Sequence, residues 1–212
     1  MSAIVLGGGD ALLIVDPQVD FLPGGSLGVP QGDAVLAPIN RLIDLYRAHA
    51  LPVYVSRDWH PALHCSFADQ GGPWPVHCVA GSDGARFAEA LQLDDAVVVS
   101  KATTVEVDAY SAFNGTGLAD TLRERGIRRL TVCGLATDYC VLNTVVDGLA
   151  AGFEVLLATQ AMRAVDVNTG DGERALARML DAGAIPVQPA DGGLVAKPVA
   201  EPVADPAQGV AA

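Results

Sequence analysis

The sequence is short of positive charge and of long apolar runs. Its 212 residues include 13 Lys and Arg against 25 Asp and Glu, a formal net charge of −12. DNA, RNA and anionic membrane surfaces select for basic proteins. No apolar run approaches the roughly 20 residues of a membrane-spanning helix. We therefore expect neither nucleic acid nor a membrane as a partner.

Cysteine is also scarce. The four cysteines, Cys65, Cys78, Cys133 and Cys140, form no C-x-x-C pair, which argues against a zinc ribbon or a thioredoxin-like redox motif. The first ten residues are rich in glycine and have no basic segment, so they are not typical of a secretory signal. Together these features predict a protein of the reducing cytoplasm.

The hydrophobic content predicts one ordinary domain. Half of the residues are hydrophobic, which is ample for a core at this length. We place the domain at residues 1–190. Residues 191–212 are rich in alanine and proline without periodicity, which predicts a disordered tail.

Short apolar runs alternate with segments of helical periodicity. Such alternation predicts right-handed β-α-β crossovers and a parallel sheet covered on both faces. The predicted fold is a three-layer α/β/α sandwich with a six-stranded parallel sheet. The expected strands are 11–15, 52–56, 96–100, 128–133, 154–158 and 185–188, and the expected helices are 33–50, 117–126, 140–151 and 171–182.

Reactive residues follow the carboxyl ends of four of these strands, namely Asp16, Asp58, Lys101 and Cys140. In open parallel sheets, ligands bind at that edge, where the strand order reverses. Cys140 falls in the first turn of a predicted helix, whose N–H groups stabilise a thiolate and a neighbouring oxyanion. The alternative is a buried structural cysteine, the usual role of a free cysteine.

A nucleophilic cysteine needs a group that takes its proton and later returns it to a leaving amine. Asp16 suits this role because burial at a strand end raises the pKa of a carboxyl group. Lys101 would favour the thiolate and hold the carboxylate in place. The alternative is that Asp16 and Lys101 form a structural ion pair.

The loop after the second strand collects most of the histidines. Asp58, His60 and His77 offer one carboxylate and two imidazoles, a ligand set that suits Zn, Fe, Mn or Co and leaves positions open for water or substrate. His64 is a candidate fourth ligand, direct or through water. The alternative is that these histidines are packing or surface residues.

These residues, taken with their neighbours, resemble the isochorismatase-like cysteine hydrolases and, within them, the nicotinamidase branch. The match keeps the family's order from residue 11 to about 160 and includes Ser66-Phe67, Lys101 and 110–113. The four segments that carry it best are Val15-Asp16-Pro17-Gln18-Val19-Asp20-Phe21, Asp58-Trp59-His60-Pro61, Trp74-Pro75-Val76-His77-Cys78 and Gly134-Leu135-Ala136-Thr137-Asp138-Tyr139-Cys140-Val141.

The resemblance implies the isochorismatase-like hydrolase fold and hydrolysis of nicotinamide to nicotinate and ammonia. Pyrazinamide, which keeps the ring nitrogen and the carboxamide, is expected to react too. Cys140 would form a thioester, Asp16 would act as base and then as acid, and Lys101 would orient the pair. A cis peptide would join Leu135 to Ala136, and the N–H groups of Ala136 and Cys140 would form the oxyanion hole.

The resemblance also implies a metal ion that anchors the pyridine nitrogen. Asp58, His60 and His77 would hold it, with zinc preferred and iron or manganese as alternatives. Phe21 and Trp74 would sandwich the ring, and the remaining pocket residues would be Leu135, Ala136 and Tyr110.

Two other functions stay open at this point. One is a metal-independent amidase of the same superfamily, and the other is a metal-binding protein without catalytic activity. The expected partner is the small-molecule substrate, and the sequence is compatible with a homo-oligomer.

Overall fold

The two central strands of the sheet come from the most apolar runs of the chain. Strands β2 (Asp10–Val15) and β5 (Arg129–Leu135) lie side by side, and nearly every residue in them is buried. Strands with both faces covered have continuous apolar sequences, whereas strands with one exposed face alternate apolar and polar residues. The computed structural model describes residues 3–190 and 192–197, and none of their helices is long and apolar enough to cross a membrane.

The described residues form one eight-stranded mixed sheet with the order β1-β8-β7-β6-β5-β2-β3-β4. All pairs from β2 to β7 are parallel, so the six predicted parallel strands are confirmed. The strands other than β2 and β5 are β1 (Ala3–Ile4), β3 (Val53–Asp58), β4 (Val97–Lys101), β6 (Glu154–Arg163), β7 (Ile185–Ala190) and β8 (Gly193–Ala196).

The sequence did not predict β1 and β8, which add to the edge of the sheet by antiparallel pairing. Strand β8 lies in the segment expected to be a disordered tail, and for Gly193–Ala196 that prediction is wrong. Pairing with β7 satisfies its backbone, and Leu194 is buried. A four-residue strand next to a proline-rich segment gives little periodicity to detect. The rest of the predicted tail, from residue 198, lies outside the described residues.

Four α-helices cover the two faces of the sheet. They are α1 (Leu36–Ala48), α2 (Leu118–Glu124), α3 (Leu142–Ala150) and α4 (Asp171–Asp181). One face buries α1 through side chains such as Ile39 and Leu42, and the opposite face buries α2, α3 and α4 through Leu122, Val145 and Met179. The predicted three-layer architecture is therefore confirmed.

The carboxyl ends of β5, β2, β3 and β4 meet at one edge of the sheet, where the strand order reverses between β5 and β2. Asp58 and Lys101 are register partners on β3 and β4. The segment between β3 and β4 contains only a short 3-10 helix (Ala68–Gln70) and lies over this edge. Loops of this length inside a compact domain are usually functional.

Candidate active site

Lys101 lies at the centre of the polar residues at this edge and is fully buried. Its Nζ is 3.0 Å from Asp16 Oδ2, 2.5 Å from Asp58 Oδ1 and 3.5 Å from Cys140 Sγ. It also donates to the carbonyl of Ala109 at 3.0 Å. One ammonium group thus joins the two predicted sets of residues, the cysteine set and the metal-ligand set.

Burial and mutual charge set the protonation of this group. Burial raises the pKa of Asp16, although Lys101 opposes that effect. Burial alone would lower the pKa of Lys101, but the carboxylates of Asp16 and Asp58 outweigh it and raise that pKa well above its usual value. Lys101 is therefore held as a cation, and the Asp16 carboxylate accepts a proton more readily than an exposed aspartate does.

Cys140 lies in a π-helical turn (Thr137–Val141) that leads directly into α3. Burial raises the pKa of its thiol well above the usual value, and Lys101 offsets only part of this effect. Desolvation thus favours the protonated thiol, which fits the expectation that Cys140 needs a base to take its proton.

The backbone before this turn matches the expected oxyanion geometry. The peptide between Leu135 and Ala136 is cis. Within the part of the chain that the structure describes, the N–H of Ala136 donates no hydrogen bond, while its carbonyl accepts from Tyr139 and Val141 at 3.1 Å. An unpaired N–H beside a cysteine sulfur is available to a negatively charged oxygen.

The ligand atoms of Asp58, His60 and His77 lie within 4.8 Å of one another. Nδ1 of each ring faces a carbonyl, that of Ala102 at 3.3 Å for His60 and that of Pro75 at 2.8 Å for His77. Carbonyls only accept, so both Nδ1 atoms carry the proton and both Nε2 atoms present a lone pair.

The two Nε2 atoms lie 3.6 Å (His60) and 4.0 Å (His77) from Asp58 Oδ2. Nε2 of His60 is buried without a hydrogen-bond partner among the described residues. Burial would raise the pKa of Asp58, but the Lys101 ammonium holds it below its usual range, so the carboxylate is ionised. Two aligned imidazole lone pairs and a carboxylate fit a divalent metal ion.

The structure does not support His64 as a fourth ligand. Its Nε2 lies 3.2 Å from the carbonyl of Val107 and must donate to it. Its Nδ1 then accepts from the hydroxyl of Ser66 at 2.7 Å and from the Ser66 N–H at 3.3 Å. Neither nitrogen keeps a free lone pair for a metal, and the ring stacks near His60 with centroids 4.2 Å apart.

Two residues of the first matching segment support the metal ligands, and the sequence reasoning gave them no role. Gln18 is fully buried, accepts from the N–H of Asp58 at 2.8 Å and donates to the carbonyls of Asp58 at 2.8 Å and Ala85 at 3.0 Å. Asp20 accepts from the N–H of Cys78, next to His77, at 2.7 Å. The sequence offered one signal for these two residues, namely their position two and four residues after Asp16.

An apolar cavity adjoins both the cysteine and the metal ligands. Its lining includes Cys140 and Ala136, the metal-ligand residues Asp58, His60 and His77, and walls that contain Phe21, Trp74, Tyr110, Tyr139 and Val165. Apolar and aromatic walls with a few polar groups among them suit one small aromatic ligand.

The walls are built mainly from aromatic rings. Nε1 of Trp74 donates to the hydroxyl of Tyr110 at 2.9 Å, and the Trp74 and Tyr139 rings meet edge to face with centroids 5.0 Å apart. Leu135, predicted to contact substrate, points into the core instead and does not line the cavity. Tyr139 was missed despite lying next to Cys140, and Val165 comes from a distant segment without a sequence signal.

The sequence profile of the isochorismatase domain matches residues 10–191, most of the chain. The chain belongs to the isochorismatase domain family. A nicotinamidase of Escherichia coli (strain K12) is 43% identical over 196 residues, which cover 82% of this chain and 92% of that protein. The resemblance drawn from the sequence is therefore confirmed.

Two solved structures of the isochorismatase fold extend the comparison. The pyrazinamidase of Pyrococcus horikoshii in complex with zinc superposes with a TM-score of 0.81 at 45% identity, covering 85% of this chain and 99% of that chain. The PnC1 of L. infantum in complex with nicotinate superposes with a TM-score of 0.81 at 38% identity, covering 88% of this chain and 96% of that chain.

Proposed function

We propose that this chain is a nicotinamidase that hydrolyses nicotinamide to nicotinate and ammonia, and that it also accepts pyrazinamide. The observation that carries the proposal is the position of Lys101, which contacts the cysteine sulfur and the carboxylate of the metal-ligand set from one buried point. The E. coli nicotinamidase and the zinc-bound P. horikoshii pyrazinamidase support it.

In the first half of the reaction, Asp16 takes the proton of the Cys140 thiol and the sulfur attacks the carboxamide carbon. The C–S bond forms, and the negative charge on the carbonyl oxygen is held by the N–H groups of Ala136 and Cys140. Asp16 then gives its proton to the amide nitrogen, the C–N bond breaks and ammonia leaves.

In the second half, water attacks the thioester carbon, and Asp16 takes a proton from that water. The C–S bond breaks and the proton on Asp16 passes to the sulfur. The product leaves as nicotinic acid, which loses its remaining proton to solvent to give nicotinate. Lys101 stays charged throughout and stabilises whichever of Asp16 and Cys140 is anionic. The raised pKa of both groups suits a proton that is passed between them rather than lost to solvent.

Asp58, His60 and His77 would hold the divalent metal ion, zinc by preference, with iron or manganese as alternatives. When bound, the ion supplies a Lewis-acidic position for the ring nitrogen of the substrate. The chain's own contribution is to fix the ring between Phe21 and Trp74, so that binding is converted into orientation of the carboxamide against the sulfur.

The test is ammonia release from nicotinamide by the purified protein, run beside Cys140→Ala and beside a chelated and then remetallated sample. We expect Cys140→Ala to abolish turnover, and chelation to suppress turnover that one metal restores. Turnover that survives chelation would favour a metal-independent amidase with another substrate. Ligand and metal binding without turnover under any condition would favour a non-catalytic metal-binding protein.

Two further proposals concern the cellular location and the oligomeric state of the enzyme. The four cysteines are all unpaired, which supports a reducing cytoplasm as its location. A homo-oligomer stays a prediction, and light scattering of the purified protein tests it.

A further inference from the structure

Ser56 contacts the proposed base of the reaction. It lies in β3, is fully buried, and donates its hydroxyl to Asp16 Oδ1 at 2.7 Å. The N–H of Asp16 points back at the same serine and lies 3.3 Å from Ser56 Oγ and 3.2 Å from the Ser56 carbonyl. Because this N–H faces a lone pair of the hydroxyl, the hydroxyl proton is directed at the carboxylate.

The two oxygens of Asp16 therefore differ. Oδ1 is occupied by Ser56, whereas Oδ2 is buried and lies 3.0 Å from Lys101 Nζ without a well-aligned hydrogen bond. A ligand atom of Asp16 and the sulfur of Cys140 lie within 4.8 Å of each other. Oδ2 is the oxygen that remains available for a proton.

The backbone of Asp16 is fixed independently of the serine hydroxyl. Asp16 has a left-handed conformation with φ of 45°, its N–H reaches the Ser56 carbonyl, and its own carbonyl accepts from the Gln18 N–H at 2.8 Å. By contrast, the terminal torsion of an aspartate side chain is broad and roughly two-fold. Loss of the hydroxyl would free that torsion and leave the backbone in place.

We propose that Ser56 is a positioning residue that fixes the rotation of the Asp16 carboxylate, so that Oδ2 exchanges the proton with Cys140. This rests on the proposed function for the assignment of Asp16 as the base. Ser56 touches neither the cavity nor the substrate, and it acts only through Asp16.

The first experiment compares Ser56→Ala with Ser56→Thr, which keeps the hydroxyl. Ser100→Ala on the neighbouring strand is the matched control, since Ser100 Oγ accepts from Arg57 and has no contact with Asp16. We expect kcat for nicotinamide to fall about tenfold or more in Ser56→Ala with KM within about twofold, and to recover in Ser56→Thr. Ser100→Ala should match the parent enzyme.

The second experiment uses no substrate, so its result does not depend on which amide the enzyme hydrolyses. The rate of alkylation of Cys140 by iodoacetamide, followed on the Cys140 peptide by mass spectrometry, should fall in Ser56→Ala by a factor similar to that in kcat. Ser100→Ala should leave it unchanged. If the parent protein does not turn over nicotinamide, the proposed function fails while this contrast still decides the role of Ser56.

Four results would overturn the role of Ser56, three of them in Ser56→Ala or its control. These three are an unchanged alkylation rate in Ser56→Ala, a loss shared equally by Ser100→Ala, and a rise in KM at constant kcat. A Ser56→Thr variant that melts with the parent protein but does not recover kcat would also overturn it, because the hydroxyl would then be present without its effect.

Discussion

Lys101 has three N–H donors and four acceptors around it. Two donors are taken by Asp58 Oδ1 and the Ala109 carbonyl, which leaves one to be shared between Asp16 Oδ2 and Cys140 Sγ. In the structure this N–H aligns with Cys140 Sγ at 3.5 Å, while Asp16 Oδ2 lies 3.0 Å from the same Nζ without a well-aligned hydrogen bond. The ammonium is therefore within reach of whichever of the two groups is anionic. The residue thus stabilises both sides of the transfer without changing its own charge.

Replacing this ammonium removes the only cation facing Asp16 within the part of the chain that the structure describes. In Lys101→Met we expect kcat to fall at least about 100-fold, because the thiolate loses its stabilising charge. We also expect a lower melting temperature, since Asp16 and Asp58 would be left buried without a counter-ion. Steady-state kinetics and thermal melting test this. A folded variant with kcat within about threefold of the parent would contradict the assignment.

Gln18 acts on the metal ligands through the backbone of Asp58. Its side-chain amide bonds both the N–H and the carbonyl of that residue, so Gln18→Ala loosens the backbone that carries the Asp58 carboxylate. We expect metal affinity to fall about tenfold, the usual cost of losing a supporting hydrogen bond at a metal site. Competition with a chromophoric chelator measures it.

The matched control for Gln18→Ala is Gln70→Ala, because Gln70 is an exposed glutamine in the segment between β3 and β4. Its metal affinity should equal that of the parent protein. Equal affinities in all three proteins would remove Gln18 from the metal site.

At this scale the sequence predicts residue types but not the directions of side chains. The positions of strand ends and the residue spacing were enough to predict one shared site for Asp16, Lys101, Cys140 and the three metal ligands. They could not exclude His64, whose tautomer depends on the Val107 carbonyl 43 residues away. Nor could they show that Leu135 faces the core, because that depends on packing against the first loop near Gly32.

At the scale of elements, the site depends on two loops held together by one carboxylate. Asp20 accepts from the Cys78 N–H at 2.7 Å and from the Ser26 hydroxyl at 2.8 Å, and so ties the loop after β2 to the segment that carries His77. Gly84 packs against this carboxylate so closely that any side chain there would collide with it. The position of Phe21 in the cavity wall follows from the same contact.

Asp20→Asn should loosen this connection. An amide NH₂ would face an N–H or hydroxyl donor, at a cost of about 2 kcal/mol, which corresponds to about 4–8 °C in melting temperature for a chain of this length. Differential scanning calorimetry measures the shift. Asp69→Asn, an exposed aspartate in the same long segment, is the control and should melt with the parent protein.

The same contact has a defined dependence on pH. Burial would raise the pKa of Asp20, but the hydrogen bonds from Cys78 and Ser26 outweigh it and lower that pKa below its usual value. A group with a lowered folded-state pKa contributes stability above its unfolded value of about 3.9, and this contribution is lost as the pH falls through the folded value. The difference in melting temperature between parent and Asp20→Asn should therefore shrink in acid. A difference that grows in acid would contradict this.

The strands and helices were more predictable than these loops. Buried strands and amphipathic helices have periodic signals of their own, and all six parallel strands were found from them. Strands β1 and β8 were not, because two or four residues are too few for a period and form only by pairing with an existing edge. The long segment between β3 and β4 is shaped by isolated contacts such as the bridge between Phe67 and Trp74.

At the scale of the whole molecule, the metal ligands and Cys140 line the same cavity, so substrate binding and amide hydrolysis depend on each other. A substrate must place a ring nitrogen at the metal ligands and a carboxamide at Cys140 at the same time. We therefore expect nicotinamide and pyrazinamide to be hydrolysed, and benzamide, which lacks the ring nitrogen, to show a kcat/KM lower by at least about 100-fold. Ammonia release over a series of concentrations measures all three. Equal kcat/KM for benzamide and nicotinamide would contradict the anchoring role of the metal.

The central claim is that Cys140 forms a covalent bond to the acyl group of nicotinamide in this cavity. Acid quenching of the enzyme during turnover, followed by intact-protein and peptide mass spectrometry, tests it most directly. We predict a mass increase equal to one nicotinoyl group, located on the peptide that contains Cys140, reversed by hydroxylamine and absent in Cys140→Ala. Turnover of nicotinamide with no acyl group on Cys140 at any quench time, or with the same adduct in Cys140→Ala, would contradict the account.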